Sequence, residues 1–78
     1  MRRAKNETAR TRFGANLRAA RKALGLSQEA LGERAGLHHT YVGSVERGER
    51  NVSIDNMEKL AAGVNREISD LLLVERRW

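Results

Sequence analysis

Between Ser27 and Gly48 the chain reads SQEALGERAGLHHTYVGSVERG, and no other stretch restricts the possible folds as strongly. It divides into two short helical runs with a glycine turn between them. The first, Gln28 to about Ala35, follows a serine able to accept hydrogen bonds from the free N–H groups of a first turn. It turns Leu31 and Ala35 inward, four residues apart. Gly36 then supplies the left-handed residue that stops it. The second run spans about His39 to Arg47. At 100° per residue, Val42, Val45 and Glu46 share one face, while Thr40, Ser44 and Arg47 lie opposite. One face suits a core and the other a partner.

The remaining sequence reads as three more helices around this pair, an all-α class. Met1 to Glu7 lacks periodicity and is expected to be a flexible basic arm. A first helix is expected from about Thr8 to Leu24, with Phe13, Leu17, Ala20 and Leu24 at i, i+4, i+7 and i+11, closed by Gly25. After the polar loop Glu49 to Val52, which carries Arg50 and Asn51, Ser53 caps a fourth helix. Its apolar stripe is Ile54, Met57, Leu60, Ala61 and Val64, and Asn65, which tolerates positive φ, is the expected stop. A fifth helix over about Ile68 to Val74 presents Ile68, Leu71 and Leu72, with Leu73 left over. Leu73, Val74 and Trp78 exceed what a core already covered by the fourth helix can use. Ile68, Leu72, Leu73 and Trp78 are therefore the expected dimer seam, with Trp78 in a frayed terminus as the alternative.

At 78 residues a single domain is expected, residues 8–78, without room for a second domain that binds an effector. Aromatics make up only 4% against 40% hydrophobic residues, which fits a core of Leu, Val, Ile and Ala, and there is no proline. The absence of cysteine excludes disulfides and thiol chemistry, and no apolar run approaches a signal segment or a membrane span, so a cytoplasmic location is expected. Charge is distributed unevenly. Through Gly25 there are eight basic residues (Arg2, Arg3, Lys5, Arg10, Arg12, Arg18, Arg21, Lys22) against Glu7, a balance of +7. The rest has seven basic and nine acidic residues, a balance of −2. An excess confined to one third of the chain points to a polyanion contact there, with Arg21 among its members.

Two short helices joined by a glycine-containing turn form a helix-turn-helix pattern, whose second helix can enter a DNA major groove. Spacing alone also allows an ordinary helical hairpin in a small bundle. The motif SQEALGERAG...V...VERG decides between them, because over Phe13 to Leu72 the chain resembles the lambda-repressor and Cro class of DNA-binding domains. The segment LHHTYVGSVERGERNVSIDNMEKLA is most similar to restriction-modification controller proteins. The resemblance implies a compact five-helix domain acting as a sequence-specific transcriptional regulator, a homodimer on a palindromic operator, with autoregulation suiting so small a chain. An antitoxin-like interaction module of the same fold is the alternative. By resemblance, His39, Thr40 and Ser44 read bases, and Tyr41 and Arg50 contact the backbone or adjacent bases. Gln28 binds a phosphate at its helix start and braces the recognition helix. Arg47 and Asn51 complete the expected surface. The resemblance also supplies Arg21 as an ion-pair partner for Glu46, an inward carboxylate that burial would otherwise drive toward neutrality.

Departures from the class matter as well. His38 occupies the position where Ser, Thr, Asp or Asn usually caps the recognition helix. Gly32 stands where alanine is common, at a cost of about 1 kcal/mol in a helix interior. Gly43 removes a possible base contact. Controller proteins tend to have arginine where this chain has His39, so its operator is not expected to be theirs. The adjacent His38 and His39 diverge too far to grip one metal ion, and no nucleophile elbow, phosphate loop or paired carboxylate occurs. No enzyme activity, metal, cofactor or small-molecule effector is expected.

Overall fold

The computed structural model describes residues 8–78; the expected basic arm, residues 1–7, lies outside them. Among the described residues there are five helices, α1 (Ala9–Ala23), α2 (Gln28–Ala35), α3 (His39–Glu46), α4 (Ile54–Gly63) and α5 (Ile68–Leu71). Each starts or stops where a specific residue satisfies the helix end. Thr8 begins α1 with a reciprocal cap, its Oγ1 accepting from Thr11 N at 3.3 Å while its own N–H donates to Thr11 Oγ1 at 2.9 Å. Ser27 and Ser53 cap α2 and α4 by accepting from Ala30 N and Asn56 N. Gly25, Gly36 and Asn65 take the left-handed conformation, with φ of 71°, 72° and 60°, as the stop signals required.

One apolar cluster joins all five elements. Phe13, Leu17 and Ala20 of α1 meet Leu31 and Ala35 of α2, Val42 and Val45 of α3, Leu60 and Ala61 of α4, then Val64 and Leu71. Two expected stripe residues are not part of it. Leu24 is 43% exposed because α1 ends at Ala23, and Ile54 is 67% exposed. Burial rises along α4 from Ile54 through half-buried Met57 to fully buried Leu60, since its C-terminal end is the part that faces α2. There Gly63 lies against Leu31, Arg34 and Ala35.

The C-terminal segment departs furthest from expectation. Instead of running to Val74, α5 stops at Leu71 after a single turn. Its last carbonyls are taken by side chains of α1. Asn16 Nδ2 donates to Leu71 O at 2.9 Å and Leu73 O at 3.0 Å, and Arg12 Nε donates to Leu72 O at 2.8 Å. These donors replace the amides that a longer helix would supply. Beyond them Arg76 Nη1 donates to Asn16 Oδ1 at 2.9 Å, and Trp78 folds back against the core. Its ring lies beneath Arg66, whose guanidinium carbon is 4.1 Å from the ring centroid. Trp78 is thus half-buried within its own chain rather than frayed. Ile68 and Leu72 also pack on the core, whereas Val74 is 48% exposed.

Candidate nucleic-acid interface

The α2–α3 pair is fixed to α1 through one carboxylate. Glu46, 8% exposed, accepts from Arg21 Nε at 2.6 Å and Arg21 Nη2 at 3.0 Å, a bidentate pair, and from Gln28 Nε2 at 3.1 Å. Arg21 Nη1 donates to Leu26 O at 2.8 Å. The hydrogen bonds that Arg21 donates to Glu46 raise the arginine pKa above its ordinary value, against the opposing effect of burial. Arg21 therefore has no place among the DNA contacts expected from the N-terminal charge. It is 7% exposed and its donors are turned inward, because an unpaired Glu46 at this depth would be costly. Arg12 is likewise directed at the α5 end. Arg10, Arg18 and Lys22 are the exposed cations of α1.

Close backbone approach makes this anchoring possible. A Cβ at Gly14 would lie 2.8 Å from Glu46 O, so only glycine lets α1 rest against the end of α3. A Cβ at Gly32 would stand 2.5 Å from Leu37 O. That glycine allows the turn to close, which outweighs its poor helix propensity. Gly43 faces the Gln28 amide, within 3.3 Å of a would-be Cβ, and so leaves room for the Gln28 to Glu46 hydrogen bond.

At the start of α3, His38 acts as an unconventional cap. Its Nδ1 accepts from Thr40 N at 3.2 Å and lies 2.8 Å from Thr40 Oγ1. An accepting Nδ1 puts the ring proton on Nε2. The His38 and His39 rings stack with centroids 4.5 Å apart, and His39 Nδ1 is 3.9 Å from Glu29 Oε2 on α2. Thr40 is exposed and His39 half-exposed, so the first turn of α3 presents polar atoms to solvent.

Further along α3 the outward face is interrupted. Ser44 was expected there with Thr40, yet it is 6% exposed. The left-handed Gly48, φ 75°, turns the chain back so that Glu49 N donates to Ser44 O at 3.0 Å and Arg50 covers the serine. Helical spacing could not foresee a loop closing over the helix that precedes it. Arg47, exposed, pairs with Glu49 at 3.0 and 3.2 Å, and this hydrogen-bonded arginine holds the Glu49 carboxyl below its usual range. Arg50 and Asn51 are exposed on the same loop, and Tyr41 is half-buried beside them. Two contributors lie outside the residues that the sequence motif singles out. Asn16 sits between Phe13 and Leu17 on the apolar stripe of α1, a buried-polar signal that was readable. Asn56, which donates to Tyr41 Oη at 3.2 Å, carries no such signal.

Residues 17–71 match the helix-turn-helix family HTH_3. The control protein C.SmaI of Serratia marcescens is 49% identical over 57 residues, covering 73% of this chain and 68% of that protein. Among solved structures, the restriction-modification controller protein C.AhdI from Aeromonas hydrophila superposes with a TM-score of 0.75 at 51% identity, over 78% of this chain and 92% of that one. The biofilm master regulator SinR, solved in complex with DNA, superposes with a TM-score of 0.73 at 34% identity, over 78% and 98%.

Proposed function

The chain belongs to the helix-turn-helix family HTH_3 and is a DNA-binding transcriptional regulator; we propose that it acts as a homodimer on a palindromic operator, in the manner of a restriction-modification controller. In this reading α3 enters the major groove and its exposed first turn, His39 and Thr40, reads base edges. Gln28, at the start of α2, approaches the phosphate backbone, and Tyr41, Arg47, Arg50 and Asn51 line the rest of the contact. The observation that carries the proposal is the anchoring of α3. Glu46 is held by α1 and α2 at once, so the polar first turn stands on a rigid base instead of a loosely packed hairpin.

A similarity to control proteins favours this reading over an antitoxin-like interaction module, and makes an enzyme improbable. No helix among the described residues is long and apolar enough to cross a membrane. The dimer proposal draws on half-buried Leu73 and exposed Val74, together with the outer surfaces of Ile68, Leu72 and Trp78. A symmetric pairing through them adds burial that a domain of this size lacks.

Footprinting on the operator tests the proposal. A dimer protects two half-sites about 34 Å, or one DNA turn, apart, and Leu73→Glu weakens both self-association and protection. One asymmetric half-site occupied by a monomer at full affinity contradicts it.

A further inference from the structure

The buried hydroxyl of Ser44 joins two residues, Tyr41 and Arg50, that the proposed DNA surface treats separately. Ser44 Oγ donates to Tyr41 O at 2.7 Å. A carbonyl can only accept, so the serine proton is directed there and its lone pairs remain for other donors. One of them takes the Nε–H of Arg50, at 2.9 Å. The guanidinium carbon of Arg50 lies 5.5 Å from the centroid of the Tyr41 ring, over its face. From α4, Asn56 Nδ2 donates to Tyr41 Oη at 3.2 Å, which holds the ring at its far end. Ser44, Tyr41 and Arg50 are thus each held at two points, and Asn56 braces the tyrosine from outside.

We propose that Ser44 is a positioning residue for Arg50, and that the Ser44 hydroxyl and the Asn56-braced Tyr41 ring together hold the guanidinium as a preformed fork on the recognition surface. This rests on the DNA-binding reading above, in which Ser44 then serves the contact through Arg50 without touching a base. With Nε bound to Ser44, the two Nη groups of Arg50 are what an exposed side chain offers to a ligand. Their end-on spacing fits a group with two adjacent acceptors, either guanine O6 and N7 or two phosphate oxygens. An arginine left free must be ordered when it binds, at a cost of about 0.5–1.5 kcal/mol for a side chain rich in rotamers. The Ser44 and Tyr41 contacts remove part of that cost in advance.

A double-mutant cycle on operator binding, with an NMR observation of the free protein, tests the proposal. In the free wild type, the Arg50 Nε–H resonance is protected from exchange with water, and in Ser44→Ala it is not. Ser44→Ala weakens operator binding about tenfold when Arg50 is present and less than about twofold in the Arg50→Lys background, a coupling within the range of residues sharing a network. On a panel of single-base operator changes, the Arg50→Lys loss falls at one guanine if the fork reads a base, and is uniform if it grips phosphate. Ser44→Ala follows the same profile in either case. Equal losses in both backgrounds, or a Ser44→Ala loss at a base position that Arg50→Lys leaves untouched, overturn the proposal while leaving DNA binding intact. A wild type that binds no operator overturns the DNA reading itself, and the exchange of the Nε–H then still reports on the tether.

Discussion

Glu46 is the residue on which the orientation of α3 depends. Its two oxygens receive donors from α1 and α2, and its side chain is 2% exposed. A carboxylate at that depth is tolerable only with its partners, so removing either member of the pair leaves an uncompensated charge. Breaking such a pair costs about 3–5 kcal/mol. For a domain this small that lowers the melting temperature by more than about 10 °C, as thermal melts of Arg21→Ala and Glu46→Ala will show. Because Glu46 pushes the arginine pKa up from an already high value, the guanidinium side of the pair stays charged at any pH near neutral. On the arginine side, that contribution is lost as pH rises through the raised value. Gln28→Ala, which removes one neutral donor from a half-buried position, has a milder effect on stability, about 1 kcal/mol. Melts of both charge variants that coincide with the wild type would contradict the buried pair.

At the scale of the helices, the α2–α3 turn depends on a glycine for a reason that propensity hides. Alanine is the better helix former by about 1 kcal/mol, yet a Cβ at Gly32 would meet the Leu37 carbonyl oxygen at 2.5 Å. That neighbour is backbone and cannot swing away. Gly32→Ala therefore destabilises the fold, which thermal melting measures directly; an increase in melting temperature would mean that the turn is looser than the structure shows. The same contrast explains what could be read from the sequence. The bounds of α2, the three left-handed stops and most of the core follow from local periodicity and residue chemistry, and these were legible. The end of α5 and the placement of Trp78 depend on side chains reaching across tens of residues, and the burial of Ser44 on a loop that folds back over its own helix. Asn16 and Arg12 cap a helix more than fifty positions away, and Arg50 closes over α3 only because Gly48 reverses the chain. Periodicity carries no information about such returns.

For the whole molecule, the charge that looks available is smaller than the sequence suggests. Arg21 is neutralised by Glu46 and Arg12 is directed to the α5 end, while Glu49 offsets Arg47 at the edge of the interface. What distinguishes the proposed recognition surface is therefore its geometry, a rigidly anchored helix with an exposed first turn. In the proposed function this turn selects DNA sequence. The most direct measurement is an equilibrium binding titration of the wild type, His39→Ala, Thr40→Ala and Gln28→Ala against a panel of single-base operator changes at fixed salt. If the turn does so, His39→Ala and Thr40→Ala lose discrimination at particular base pairs, by about 1–3 kcal/mol at each, while Gln28→Ala weakens operator and unrelated DNA alike. A uniform loss across the panel for both His39→Ala and Thr40→Ala would contradict that role.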